Sequence, residues 1–325
     1  MNTLSFALPT ALMLAASSYA TDKEIITKTL AANSGGKLVM KVDRGSIRVK
    51  AVDSGQVDIK IAREVRRASA NAAREIYSAH KVEIAQQGDT ITITSAGKPK
   101  GFRWFSNPFN KLQVEYTVAI PSRFNLDLQT AGGNIDLPDL TGTVRAWTSS
   151  GNVVAGAING SVELETAGGD VTLGSATGKT HLRSSGGNIK VYDAEAEMTA
   201  MTSGGNIAVE RARGSLHAET SGGHITVTEA LGPVSAQTSG GNVSASFLQT
   251  PSGGCKLSTS GGHVALTLPG PAAVNLRAKT SGGTIQSDFP GNTDNSRSKF
   301  VAHLNGGGPE ILLETSGGNI KIHRR

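Results

Sequence analysis

One phrase returns at a fixed interval through the second half of the chain. TAGGNI begins at Thr130, TSSGNV at Thr148, TAGGDV at Thr166, SSGGNI at Ser184, TSGGNI at Thr202, TSGGHI at Thr220 and TSGGNV at Thr238, each 18 residues after the one before. Three more follow after intervals of 21, 21 and 35: TSGGHV at Thr259, TSGGTI at Thr280 and TSGGNI at Thr315. A short exact period of this kind leaves few folds open, because one unit is too small to hide its own apolar face and must stack on its copies. The longer intervals read as loops inserted between coils.

Within a unit the apolar positions alternate on both sides of the glycines: Leu216, Ala218 and Thr220 before them, Ile225 and Val227 after. The columns recur as Val162, Leu164 and Thr166 with Val171 and Leu173, and as Met198, Ala200 and Thr202 with Ile207 and Val209. Alternation by two marks strands with one face buried, so each unit is strand, SGG turn, strand, second turn. The fold class is all-β: a parallel β-helix, or β-solenoid, with coils of 18 residues. The general bias of parallel crossovers predicts a right-handed coil. A left-handed hexapeptide helix is excluded, since it needs an aliphatic residue every sixth position and Ile207 plus six is Arg213. Calcium-binding nonapeptide rolls are excluded too, because only Asp170 is acidic at the turn column.

The paired glycines Gly132 and Gly133, Gly168 and Gly169, Gly186 and Gly187, Gly204 and Gly205, Gly222 and Gly223, and Gly240 and Gly241 read as structural turns. A chain reversing between sheets needs positive φ or a bare backbone there, so alanine at Gly204 or Gly222 is expected to destabilise. Asn134, Asn152, Asn188, Asn206, Asn242 and Asn319 form one column beside them, readable as hydrogen-bonded stacked amides or as simple turn chemistry.

The organisation predicted from this is a secretory signal over residues 1–20, N-terminal coils over 21–125, and the regular repeat with a C-terminal loop insertion over 126–325. Residues 1–20 carry no charge, are apolar from Leu4 to Ala16, and end in Ser18 and Ala20 around Tyr19, which suits cleavage after Ala20 and export. No later run is long enough to span a bilayer. The single cysteine, Cys255, rules out a disulfide framework and falls at an inward position that reads as core filling. Between residues 35 and 61 a cruder coil alternates around Gly45 and Gly55. Ser69 to His80 favours a short helix that caps or brackets the solenoid, and Val82, Ile84, Ile91 and Ile93 resume strands around Gly88. Residues 21–125 hold 18 Lys and Arg against 10 Asp and Glu, a surplus of eight in a chain whose formal total is +6, so attraction to anionic partners belongs to this part.

The segments SGGKLVMKVDRGSIRV, YTVAIPSRFNLDLQTAGGNI at 116–135, the serial TSGGNI turns and the closing ILLETSGGNIKI together resemble the DUF4097 family of bacterial adhesin-like proteins. The resemblance spans roughly the chain after residue 20. It implies a parallel β-helix on the cell envelope, with relatives near envelope-stress systems and no catalytic residues. This chain departs from it in an uncharged start, the lack of a lipid-attachment cysteine, and a long loop between Phe289 and Phe300.

Parallel β-helices also host polysaccharide lyases and hydrolases, which need paired carboxylates or Asp with Arg and Lys on adjacent turns. The outward column Arg145, Glu163, His181, Thr199, His217, Ser235, Lys256, Arg277 and its neighbour Trp147, Glu165, Arg183, Met201, Glu219, Gln237 place opposite charges on successive turns, which reads as ladder pairing. Glu163 and Glu165 are the one pair an enzyme reading could use. His181 and His217 share a column two turns apart, roughly 10 Å, too far to share an ion, and His224 and His263 take the Asn position of the turn. No metal or cofactor is expected.

The segment most suggestive of binding is Gly97 to Lys111, where Lys98, Lys100, Arg103 and Lys111 surround Phe102, Trp104, Phe105 and Phe109 without a strand period. Aromatic tips beside cations suit an anionic envelope glycan, a membrane surface or another envelope protein. The plainer reading is a loop folded over the solenoid flank. Nucleic acid does not suit an exported chain. The expected function is a non-catalytic envelope scaffold or adhesin-like binding protein. The alternatives are a carbohydrate-active β-helix enzyme or an envelope-stress sensing module.

Overall fold

Alternating Val, Ile, Leu and Thr give each repeat two short strands with one apolar edge. The computed structural model, which describes residues 22–97, 108–295 and 297–325, assembles them into two 15-stranded sheets. The proposed signal over residues 1–20 lies outside the described residues. Each 18-residue coil contributes one strand to each sheet. Val144–Thr148, Val162–Thr166, Thr180–Ser184, Met198–Thr202, Leu216–Thr220 and Val234–Thr238 run parallel in one. Val153–Asn159, Val171–Ala176, Ile189–Ala194, Ile207–Ala212, Ile225–Ala230 and Val243–Phe247 run parallel in the other. Ile189 pairs with Ile207 and Ile207 with Ile225, and all three are buried. These rows meet between the sheets as a continuous core, each buried Ile, Leu or Val contributing about 1.5–3 kcal/mol.

The leading Thr of each phrase is as buried as the aliphatic rows, and its hydroxyl is used on both sides. Thr220 Oγ1 donates to the Gly205 carbonyl of the preceding coil (2.9 Å) and accepts from the Gly223 amide (3.3 Å). The same pair of bonds recurs at Thr148, Thr166, Ser184, Thr202 and Thr238. The two bonds offset the cost of burying the hydroxyl and tie each coil to the one beneath.

Of the two reasons the turn suggests for its glycines, positive φ and a bare backbone, the second is the general one. Of the paired glycines, only Gly133 has a left-handed φ (133°). At the second glycine of each pair, a Cβ would collide with the backbone carbonyl of the preceding coil: Gly205 with Gly187 O, and Gly223 with Gly205 O. At the first glycine a Cβ meets no such collision. Its nearest neighbour would be 3.3 Å away at Gly204 and 3.5 Å at Gly222. The expectation of damage from alanine is therefore corrected at Gly222, where the contact is ordinary; at Gly204 the Gly186 carbonyl must give by a few tenths of an ångström, and the severe collision belongs to the second glycine.

The Asn column is a ladder along the solenoid axis. Asn188 Oδ1 accepts from the Asn206 amide (2.8 Å), Asn206 Oδ1 from the His224 amide (2.7 Å), and His224 Nδ1 from the Asn242 amide (2.8 Å). Asp170 and His263 take the same part. What the column selects is an acceptor atom at one place, which Asn, Asp and an unprotonated His nitrogen all supply.

At both ends the order of coils departs from the order of the chain. Lys37–Val42 lies between Thr90–Gly97 and Asn125–Thr130, and Ser46–Val52 between Leu112–Pro121 and Ile135–Leu137. The coil formed first in sequence is thus second in the stack. The final coil, Glu310–Thr315 with Ile320–Arg324, is inserted between Cys255–Leu268 and Val274–Ser287. The phrase at Thr315 stacks directly on that at Thr259, so the 21- and 35-residue intervals mark a reordering of coils as well as loops.

Three of the four sheet ends finish in antiparallel strands, while Ile285–Ser287 ends the fourth in parallel pairing. Gln56–Val65, predicted to continue the first coil, reverses instead at Gly55 and runs between Asp22–Ala31 and Leu112–Pro121. His80–Gln87 closes the other sheet, and Lys299–Leu304 covers Val274–Thr280 at the far end. The predicted helix is Ala70–Ala79, N-capped by Ser69; it buries Ala73 and Ile76 and packs beside Gln56–Val65 and His80–Gln87. These antiparallel strands end the stacking of coils, and the sheet edges fall on them and on Ile285–Ser287.

Candidate functional site

At the N-terminal end five strands bring together a polar cluster from positions far apart in sequence. Asp43 follows the first coil strand; His80, 1% exposed, begins its own strand at the helix C-terminus. His80 Nε2 lies 3.1 Å from Asp43 Oδ1, which also accepts from Ser95 Oγ (3.1 Å), and Tyr116 OH donates to Ser95 Oγ (2.7 Å). Asp43 Oδ2 accepts from the Gly97 amide (3.0 Å) and from Arg44 Nε (3.2 Å). Arg63 Nη1 donates to the carbonyls of His80 (2.6 Å) and Tyr77 (3.1 Å), while its Nη2 pairs with Glu24. Burial pushes the Tyr116 phenol well up from its usual range. Burial alone would also raise the Asp43 carboxyl, but the hydrogen bonds from His80, Gly97 and Arg44, with the charge of His80, outweigh it and hold the group well below the usual carboxylate range.

This cluster grips both feet of the basic and aromatic segment. Gly97 is held by Asp43, and Arg44 Nη1 donates to the Phe109 carbonyl (2.6 Å) with its guanidinium 5.0 Å from the Phe109 ring centre. Phe109 is 1% exposed. It is therefore corrected from a binding tip to an interior peg, because its ring fills the space between Arg44, His80 and Gly97. Lys111 Nζ donates to the Arg67 carbonyl (3.1 Å). Lys98, Lys100, Phe102, Arg103, Trp104 and Phe105 lie outside the described residues.

Along the repeat, the outward columns run as read from the sequence except at the reordered end, where Leu312 stands between Lys256 and Arg277. Arg145 Nε donates to Glu163 (2.8 Å), and Arg183 lies 3.8 Å from Glu165, so both carboxylates of the enzyme reading are paired across coils on the exposed face. Cys255 is buried, as its position implied, and burial raises its thiol pKa.

A groove of about 440 Å³ follows the axis over five coils near the C-terminal end. One wall is the column Glu219, Gln237, Ser258, Glu314 and Lys279, the other the exposed file Ser221, Ser239, Ser260, Ser316 and Ser281. Among the described residues, no hydrogen bond engages those five hydroxyls. The wall pairs Glu314 with Lys256 (3.8 Å) and carries both signs of charge. Such a surface can exchange hydrogen bonds with a long neutral or weakly charged polar chain.

The Toastrack DUF4097 family model matches residues 37–323. The chain belongs to the Toastrack DUF4097 family. The Toastrack chain is also similar to solved structures of proteins named as candidate adhesins. One from Bacteroides fragilis is 14% identical, with 93% of this chain and 97% of that one covered and a TM-score of 0.35. One from Parabacteroides merdae is 10% identical, with 92% and 96% covered and a TM-score of 0.32. A candidate cell adhesion protein from Clostridium sporogenes is 12% identical, with 94% and 100% covered and a TM-score of 0.21. No curated protein matches the Toastrack chain.

The Asp43 cluster of this Toastrack chain had one trace in the sequence: Ser95 is polar at an inward position after Ile91 and Ile93. Because the Asp43 carboxyl is held below its unfolded value, near 3.9, its contribution is fully present above that value and is lost progressively as pH falls below about 4. Asp43→Asn is expected to lower stability at neutral pH and to flatten the acid limb of the stability curve, both read by urea unfolding across pH. An unchanged acid limb would show that the cluster does not set it.

Proposed function

We propose that this protein is an exported, non-catalytic envelope scaffold of adhesin type, whose repeated outer face binds a linear glycan along the solenoid axis. The observation that carries this reading is the five-coil groove with its file of unengaged serine hydroxyls. Coils rise by about 4.8 Å, close to the advance of one sugar ring in an extended β-linked chain, so like groups on successive coils can meet like groups on successive sugars. Weak contacts repeated in this way gain by avidity. Export is supported by the apolar, small-residue ending of residues 1–20. Among the described residues, no helix is long and apolar enough to cross a membrane. The Lys98 to Lys111 segment, anchored by Gly97 and Phe109, is a second contact element at the opposite end.

The test is binding of the purified chain to linear envelope glycans on an array. Gln237→Ala with Ser260→Ala is expected to weaken capture roughly tenfold, by removing two hydrogen-bonding groups. Loss on Arg103→Ala with Trp104→Ala alone would move the contact to the N-terminal segment. Insensitivity to both pairs would discard the reading, and release of new reducing ends by the wild type, abolished by Glu163→Gln, would replace it with an enzyme.

A further inference from the structure

A second cleft, of about 550 Å³, opens on the outer face of the other sheet at the N-terminal end. Four adjacent strands build it: Asp22–Ala31, Gln56–Val65, Leu112–Pro121 and Ser46–Val52 lie side by side in that order. The register sets Lys23 opposite Glu64 and Glu64 opposite Gln113, with Glu115 opposite Ser46 in the next row. Around this floor stand Lys23, Arg44, Arg48 and Arg66, four cations against the two carboxylates Glu64 and Glu115.

The pairing leaves a directed surplus. Glu64 is taken by Arg66 Nε (2.9 Å), and Glu115 by Arg48, whose other Nη faces Asp136 (3.7 Å). Arg44 spends Nε on Asp43 and Nη1 on the Phe109 carbonyl. Among the described residues, Lys23 Nζ, both Nη groups of Arg66 and Nη2 of Arg44 have no hydrogen-bond or ion-pair partner. We infer that this cleft binds a phosphate group. A planar carboxylate is satisfied by one guanidinium fork, whereas a tetrahedral oxyanion takes donors from several directions, which is what a lysine and two arginines on separate segments supply. The phosphate can belong to a lipid headgroup or to a soluble phosphate-bearing polymer; the cleft chemistry is the same. The site lies far along the stack from the glycan groove and does not depend on it.

Two measurements on the full chain test this. Inorganic phosphate is expected to raise the melting temperature above that in chloride at matched ionic strength, and Lys23→Gln with Arg66→Gln to weaken the phosphate response at least about tenfold. If the double variant is itself unstable, Lys23→Gln alone serves, since no hydrogen bond or ion pair of the described residues holds its ammonium, and Arg66→Lys should restore part of the response. Sedimentation with phosphatidylglycerol vesicles, compared with phosphatidylcholine vesicles, separates the sources: capture lost in the variant means a headgroup, while a phosphate response without capture means a soluble ligand. Equal stabilisation by chloride, or a phosphate response unchanged in Lys23→Gln and the double variant, overturns the inference.

Discussion

Gly223→Ala should disrupt its coil, while Gly222→Ala, one residue earlier, should leave the fold standing. A methyl group at Gly223 would press into the carbonyl of Gly205, the same oxygen that accepts the Thr220 hydroxyl. Relief requires the two coils to part, which breaks that bond and opens the rows of Ile207 and Ile225. A loss of about 3 kcal/mol or more is expected, at the upper end of what overpacking costs. At Gly222 the added carbon would sit 3.5 Å from its nearest neighbour, and Gly222 has no left-handed φ to forbid it. The reduced freedom of the unfolded chain then makes the change neutral or stabilising by up to about 1 kcal/mol. Hydrogen exchange is the suitable measurement, because a stack of repeats need not unfold in one step. Loss of protection in the strands flanking Gly223, with none at Gly222→Ala, is the expected pattern; equal behaviour of the two would remove stacking as the cause.

Deleting residues 310–325 should unfold more than it removes. In a solenoid stacked in chain order, loss of the last coil shortens the molecule and exposes one edge. Here the last coil is a spacer: Ile311 and Leu313 pair with Cys255 and Leu257 on one side and with Leu276 and Ala278 on the other. Without it, Val274–Thr280 and its cover Lys299–Leu304 lose their attachment to the body of the stack. Protection over residues 274–304 is expected to vanish, while coils up to about Thr238 keep theirs. Retained protection at Leu276 and Phe300 in the truncated chain would show that the outer coil can dock on Cys255–Leu268 directly.

These two cases mark how far the sequence could be read. The rows through Ile189, Ile207 and Ile225 were legible because their spacing is constant and their burial follows parity. The stacking order at the ends was not, because no local feature says whether the phrase at Thr315 lies above or below that at Thr280. The second glycine was recognised as a place for positive φ or a bare backbone, but the obstruction that demands the bare backbone comes from the neighbouring coil, and only the stack reveals it. The Thr column passed as core filling, and its paired hydroxyl bonds became visible only with the Gly205-type carbonyls placed beside it. Of the candidate site, the basic character of the N-terminal part was readable from charge. The Asp43, His80, Ser95 and Tyr116 cluster, whose members come together only through long-range strand pairing, was not. Phe109 shows the same limit: aromatic and basic neighbours in sequence do not distinguish a peg from a tip.

The interleaved ends also govern how such a molecule can change size in evolution. Each extremity is a plug whose strands cross-reference one another, so adding or dropping a unit there would orphan a partner. Between Val144 and Thr238 successive units stack in one register, and duplication or excision of 18 residues reseats like on like. Variation in copy number among descendants of this chain should accordingly fall in that middle stretch, lengthening the rod while both plugs stay as they are.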